Sequence, residues 1–147
     1  AEEILKEAKD GDTVWVHDFQ LMLVPGFLKT KRPDLRVGFF LHIPFPSSEI
    51  FRELPQRKEI LQSLIQADLV GFHDLSYMNH FRSSLQRVLG EIPLPERALG
   101  VYPISIDAAH FSALADAPET KEFIAKYKQN KKDMKWILGV DRLDYIK

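Results

Sequence analysis

Cysteine is absent from the 147 residues, which excludes disulfide frameworks, cysteine nucleophiles and thiolate metal sites. Neither sign of charge is in excess. The 20 basic side chains stand against 21 acidic ones, a net charge of -1, so nucleic acid is not held by bulk charge. No apolar run approaches the roughly 20 residues of a membrane span. The opening AEEILKEAKDGD has the pattern of an amphipathic helix rather than a signal peptide. Also missing are a Gly-x-Gly-x-x-Gly loop, a Walker loop and a Gly-x-Ser-x-Gly elbow, the usual marks of NAD, ATP and serine-hydrolase chemistry. Internal repeats and low-complexity segments do not occur. What is present is a composition 45% hydrophobic and 28% charged, rich enough in apolar side chains to bury a core and exclude general disorder. A soluble, cytoplasmic globular chain without membrane or nucleic-acid partners is expected.

Short apolar runs alternate with helical spacing. Ala1 to Lys9 reads as a helix closed by the turn at Gly11, and Val14-Trp15-Val16 as a strand ending at His17-Asp18. Phe19 to Lys31 has helix length and several apolar faces, so a buried helix open to a kink at Pro25 is expected. Val37 to Leu41 is a continuous apolar run, the pattern of a strand buried on both faces. Pro44 and Pro46 stiffen the loop that follows His42. Ser47-Ser48-Glu49 offers a hydroxyl cap and an acidic first turn for a helix. Ile60, Leu61, Leu64 and Ile65 form a one-sided helical stripe. Leu69 to Phe72 is another strand, ending at His73, and Leu75 to Leu89 is a helix stopped by Gly90. Val101 to Ile104 reads as an edge or terminal strand, Pro118 to about Lys132 as a charged helix, and Trp136 to Val140 as a final strand. Trp15, Trp136 and the phenylalanine-rich strands are assigned to the core.

This order predicts an α/β fold, a parallel sheet with crossover helices. Only Asp144 to Lys147 follow the turn after the last strand, too little for a covering helix, so the chain is expected to be a fragment of a longer protein.

In open parallel sheets, ligands bind beyond the carboxyl ends of the strands. Here strands end on His17-Asp18, His42, His73-Asp74 and Asp141-Arg142, and that coincidence marks a candidate site. Asp18 has the chemistry to bind a sugar hydroxyl, to act as a base, or to cap the helix after it. His42 sits on a stiff proline loop, which suits a side chain that must be held in place; the alternative is a histidine bonded to backbone. Asp74 reads as a helix cap, and His73, His80 and His110 as structural. Arg142 and Lys147 flank the start of whatever helix follows the last strand, where free N–H groups attract anions. Two cations there suit a diphosphate, with plain surface solvation as the alternative. Lys126, Lys128, Lys131 and Lys132 read as a solvated helix face. The residues alone also leave open a metal-dependent hydrolase built on His17, Asp18, His42 and His73.

Several segments carry a resemblance. They are Val16-His17-Asp18-Phe19-Gln20-Leu21-Met22-Leu23-Val24-Pro25, Gly38 to Ile50 (GFFLHIPFPSSEI), Leu54 to Leu61 (LPQRKEIL), Ala67 to His73 (ADLVGFH) and Gly139 to Lys147 (GVDRLDYIK). In this order, over nearly the whole chain, they closely resemble the trehalose-6-phosphate synthase family of retaining glucosyltransferases. The resemblance implies a two-domain GT-B enzyme with Rossmann-like domains facing each other across a cleft. Residues 1–133 would be the later part of the N-terminal, acceptor-side domain, and 134–147 the first strand and turn of the nucleotide-sugar domain. The implied reaction transfers glucose from UDP-glucose to glucose 6-phosphate, giving trehalose 6-phosphate and UDP, with no cofactor and no essential metal. Asp18 then corresponds to the residue that binds sugar hydroxyls at the reaction centre and His42 to the histidine on the donor glucose. Arg142 and Lys147 correspond to the pair holding the UDP diphosphate. The full-length protein is left open to homo-oligomerisation, and the isolated fragment is expected to be inactive.

The chain departs from the family's pattern at Phe19-Gln20, where Tyr-His is usual, at Ser105, where glycine is usual, and at Asp74-Leu75-Ser76. These changes keep alternatives in view: a same-fold relative with another acceptor or a pseudo-glycosyl coupling, or a non-catalytic sensor of sugar phosphates.

Overall fold

Apolar runs at Thr13–His17 (β1), Arg36–Leu41 (β2), Leu69–Phe72 (β3) and Leu99–Val101 (β4) pair in that order into one parallel sheet. A computed structural model of the chain describes residues 1–95, 98–128, 134–135 and 137–141. It divides into two compact units, Ala1–Ile104 and Ser105–Lys147.

In the first unit α1 (Glu2–Glu7) precedes β1, and the connecting helices are α2 (Val24–Lys31), α3 (Ser48–Phe51), α4 (Arg57–Leu64) and α5 (Leu75–Leu89). A sheet that always steps to the next neighbour through right-handed crossovers carries its connections on one face. The core follows from this. Val16, Phe39, Val70 and Leu99 lie side by side across the sheet. Val37, Leu41 and Phe72 share their face, and Leu28, Leu61, Phe81 and Leu85 close over it from α2, α4 and α5. Two polar ties fix α2 in place. The amide of Gly26 donates to Ser63 Oγ at 2.9 Å. The Asp68 carboxylate accepts from the Val37 amide at 2.7 Å and pairs with Lys29 at 2.8 Å.

The second unit holds α6 (Ala108–Asp116) and α7 (Pro118–Lys128). Asp107 caps α6 by accepting from the His110 amide at 3.1 Å. Lys126 and Lys128 are exposed, as expected of a solvated face.

The expected α/β fold is present, and the differences in detail have physical causes. Phe19 to Lys31 is not one helix: a 3-10 turn at Phe19–Leu21 precedes α2, and Pro25 sits in the first turn of α2 without kinking it. Its missing N–H would have no partner there anyway. Ser47 precedes α3 but its hydroxyl makes no cap; the amides of Ile50 and Phe51 bond to the Ser47 carbonyl instead. Ala108–Asp116 is helical where the sequence pattern assigns no element. β2 is not sealed on both faces, since Gly38 and Phe40 belong to the face away from the core cluster. Trp15 shares that face and is 66% exposed in this chain, outside the core cluster to which the sequence pattern assigns it. Trp136 lies outside the described residues. Ile137 to Val140 form no strand, because none of the described strands pairs with them, and Ile137 is 100% exposed.

Candidate functional site

Strand alternation places residues two apart on the same face, so the face opposite the core presents Trp15 and His17 from β1, Phe40 and then His42 from β2, His73 after β3, and Tyr102 after β4. Together they line a groove of about 510 Å³. Its floor is lowered by glycine. A Cβ on Gly71 would stand 2.6 Å from Phe40 Cδ2, and one on Gly100 would stand 2.5 Å from the Tyr102 ring. Both rings occupy space that a side chain at those positions would fill. Phe40 is thereby only 8% exposed although it lies on the groove side.

The carboxyl edge of the groove is a row of imidazoles. His17 ends β1, and the register His17↔Phe40 puts His42 two residues further on the neighbouring strand. The result is a hydrogen bond of 2.9 Å between His17 Nδ1 and His42 Nε2. The His42 and His73 rings follow at 5.5 Å in an edge-on contact. Trp15 packs on His17 at 4.5 Å, and Phe40 lies 4.8 Å from both His42 and His73. Nδ1 of His73 is buried without a hydrogen-bond partner.

Asp18 stands directly after His17. Its amide donates to the Phe40 carbonyl at 2.8 Å, and its carboxylate accepts from the Phe19 amide at 3.0 Å. Its backbone has φ 70° and ψ 167°, a region almost confined to glycine, and among the described residues no other non-glycine residue has positive φ. Such a conformation costs about 1–3 kcal/mol and persists only where the surrounding structure enforces it. Asp18 therefore caps the 3-10 turn and also carries local strain at the end of a strand, where strained residues concentrate at functional sites.

Of the residues singled out from sequence, Asp18 and His42 come to the ends of adjacent strands. Arg142 and Lys147 lie outside the described residues. Asp74 caps α5 as expected, accepting from the Ser76 hydroxyl and, at 2.7 Å, from the Ser76 amide; these bonds hold its carboxyl below the usual range. His80 is bonded to the Phe45 carbonyl at 3.0 Å, a structural role. His73 faces the groove rather than the core. Among the described residues no group of three or more His, Asp or Glu is arranged to hold a metal ion, and His17 and His42 direct nitrogens at each other. The His17, Asp18, His42, His73 hydrolase therefore lacks convergent ligands. Phe19 packs against the core cluster, and Gln20 is exposed on the same turn. What sequence reasoning missed is the aromatic floor of Phe40 and Tyr102; the glycines beside these rings, Gly71 in β3 and Gly100 in β4, were the available signal.

A parallel sheet with helical crossovers, and with histidines and a strained aspartate at the carboxyl ends of its strands, defines a Rossmann-like α/β unit. The chain belongs to glycosyltransferase family 20, whose family model matches residues 1–147. It is 46% identical over 158 residues to an alpha,alpha-trehalose-phosphate synthase [UDP-forming] of Pichia angusta, covering 98% of this chain and 33% of that protein. The solved N-terminal domain of Candida albicans trehalose-6-phosphate phosphatase superposes with TM-score 0.75 at 36% identity, over 87% of this chain and 30% of that one. A solved E. coli structure described as trehalose-6-phosphate bound with UDP-2-fluoro glucose gives TM-score 0.74 at 30% identity, over 86% of this chain and 31% of that one. The chain thus spans about a third of the length of the relatives it matches. These likenesses agree with the expected α/β architecture of the GT-B type.

Proposed function

We propose that the intact protein transfers glucose from UDP-glucose to the anomeric hydroxyl of glucose 6-phosphate, with retention of configuration, releasing UDP and trehalose 6-phosphate. The observation that carries this reading is Asp18, held in a glycine-like backbone conformation beside His17 and His42, at the carboxyl edge of a family 20 sheet. In the reaction the bond from C1 of glucose to the UDP oxygen breaks, and the acceptor's anomeric oxygen bonds to C1 on the same face. The acceptor proton passes to the leaving diphosphate. Asp18 holds sugar hydroxyls at the reaction centre and His42 contacts the donor glucose. Arg142 and Lys147 hold the diphosphate and stabilise the charge that develops on it. We assign the reaction no metal and no cofactor. Residues 1–133 are read as the later part of the acceptor-side domain and 134–147 as the beginning of the nucleotide-sugar domain. The compartment proposed is the cytoplasm; among the described residues no helix is long and apolar enough to cross a membrane.

The test is UDP release by the intact protein with both substrates and with each omitted. Release that requires both supports the proposal; release from UDP-glucose alone, or none, contradicts it. One observation favours a second reading. The fold also occurs in the N-terminal domain of Candida albicans trehalose-6-phosphate phosphatase, and in this chain Phe19-Gln20 adds to it by replacing the family's usual pair beside Asp18. A chain that keeps the site to sense sugar phosphates would bind UDP-glucose or glucose 6-phosphate without turnover in the same assay.

A further inference from the structure

We infer that His17 is a positioning residue for His42, fixing both its ring orientation and which of its nitrogens carries hydrogen. This role rests on the proposal that His42 contacts the donor glucose. Both rings are exposed, and an exposed imidazole on a loop samples several rotamers unless something holds it. Here His17 Nδ1 lies 2.9 Å from His42 Nε2, with the two rings inclined by 31° at 5.2 Å. His17 is itself fixed. It ends a strand paired in register with β2, and Trp15 packs on its ring at 4.5 Å. His73 approaches His42 from the other side at 5.5 Å, and Phe40 lies beneath at 4.8 Å. The ring of His42 is thus confined by groups on β1, β2 and β3.

The contact has a chemical consequence as well as a steric one. A hydrogen bond between two neutral imidazoles needs one N–H and one lone pair. When His17 Nδ1 donates, Nε2 of His42 is the acceptor and His42 carries its hydrogen on Nδ1; when His42 Nε2 donates, its Nδ1 is left as a lone-pair acceptor. The nitrogen left to His42 is thus a donor to a sugar oxygen in the first arrangement and an acceptor from a sugar hydroxyl in the second. The strand-end histidine therefore sets the polarity of the contact that His42 offers to a hydroxylated ligand.

Two substitutions separate positioning from bulk. His17→Asn keeps a polar atom where Nδ1 stood, and His17→Leu removes it while filling similar space. In the intact protein, His17→Leu is expected to lower kcat/KM for UDP-glucose about tenfold or more, the scale on which groups orienting an imidazole act. His17→Asn is expected to recover most of that loss at equal thermal stability. Wild-type kcat/KM in His17→Leu overturns the inference, and so does an equal loss in both variants. Nitrogen-15 NMR of the unsubstituted protein reads the pair without using activity. The expected spectrum shows one fixed tautomer on each ring, with a single hydrogen between His17 Nδ1 and His42 Nε2, and His42 losing its fixed tautomer in His17→Leu. Rapidly averaged tautomers in the unsubstituted protein would overturn it. If no transfer is detected at all, the functional proposal fails while the NMR comparison still decides the pair.

Discussion

The amide of Asp18 donates to the carbonyl of Phe40 at 2.8 Å, so the residue that leaves β1 is pinned to the strand beside it. That bond extends the ladder one residue past His17 and carries the chain into φ 70° at Asp18. The strain is local, and its cost falls on the side chain proposed to hold sugar hydroxyls.

Asp18→Gly and Asp18→Ala both remove the carboxylate but differ in Cβ. Each is expected to abolish most transfer activity in the intact protein. Asp18→Gly should be the more stable of the two by about 1–3 kcal/mol, because glycine occupies this conformation without strain. Equal midpoints in chemical denaturation would show that the backbone is not strained there.

Gly71 tests the aromatic floor. Gly71→Ala places a methyl 2.6 Å from Phe40 Cδ2, so the ring must tilt toward His42 and His73. A loss of about 1–3 kcal/mol in stability is expected, together with weaker UDP-glucose binding. Removing the ring with Phe40→Ala should make the added methyl nearly neutral, so a double-mutant cycle should show strong coupling between the positions. Additive effects would contradict the packing described.

Asp68 ties α2 to the sheet. Burial pushes its carboxyl up, but the hydrogen bond from Lys29, the Val37 amide and the Lys29 charge outweigh this and bring it below the usual value. A carboxyl lowered on folding contributes its full stabilisation above the unfolded value, about pH 4, and loses it as pH falls through the folded one. The side chain is half exposed, so solvent screening limits the effect to about 1 kcal/mol or less. Asp68→Asn should therefore be less stable than wild type at pH 7, with the gap closing as pH falls through the lowered folded value. A gap that persists in acid would assign its cause to packing.

Arg142 tests the diphosphate assignment. In the intact protein, Arg142→Ala is expected to cost roughly 2–4 kcal/mol of transition-state stabilisation, the scale of losing one preorganised charge partner. Steady-state kinetics at wild-type rates would remove Arg142 from the site.

Much of this was legible in the chain because it is local. The runs at Val14 to Val16, Val37 to Leu41 and Leu69 to Phe72 became strands, and Leu75 to Leu89 became a helix at those very bounds. Asp18 and His42 stood at strand ends, so their meeting at one edge needed only a parallel sheet. Strand order was not legible, since it depends on pairings between distant segments. With the order known, the crossovers fall on one face, and Trp15 and the buried Phe40 lie on the other as the wall and floor of a groove. The bond between His17 and His42 was hidden for the same reason: it depends on the register of β1 against β2 across 25 residues. Pro25 misled because its effect depends on where the helix begins, and α2 begins one residue before it.

The central claim is that the carboxyl edge of this sheet is where glucosyl transfer takes place. It is tested most directly by NMR of the product formed from UDP-glucose and carbon-13-labelled glucose 6-phosphate, using the intact wild-type protein and its Asp18→Asn and His42→Ala variants. The expected result is an α,α-linked disaccharide phosphate from wild type and a large loss of that product in both variants at unchanged folding. A different linkage, no product, or undiminished product from the variants would contradict it.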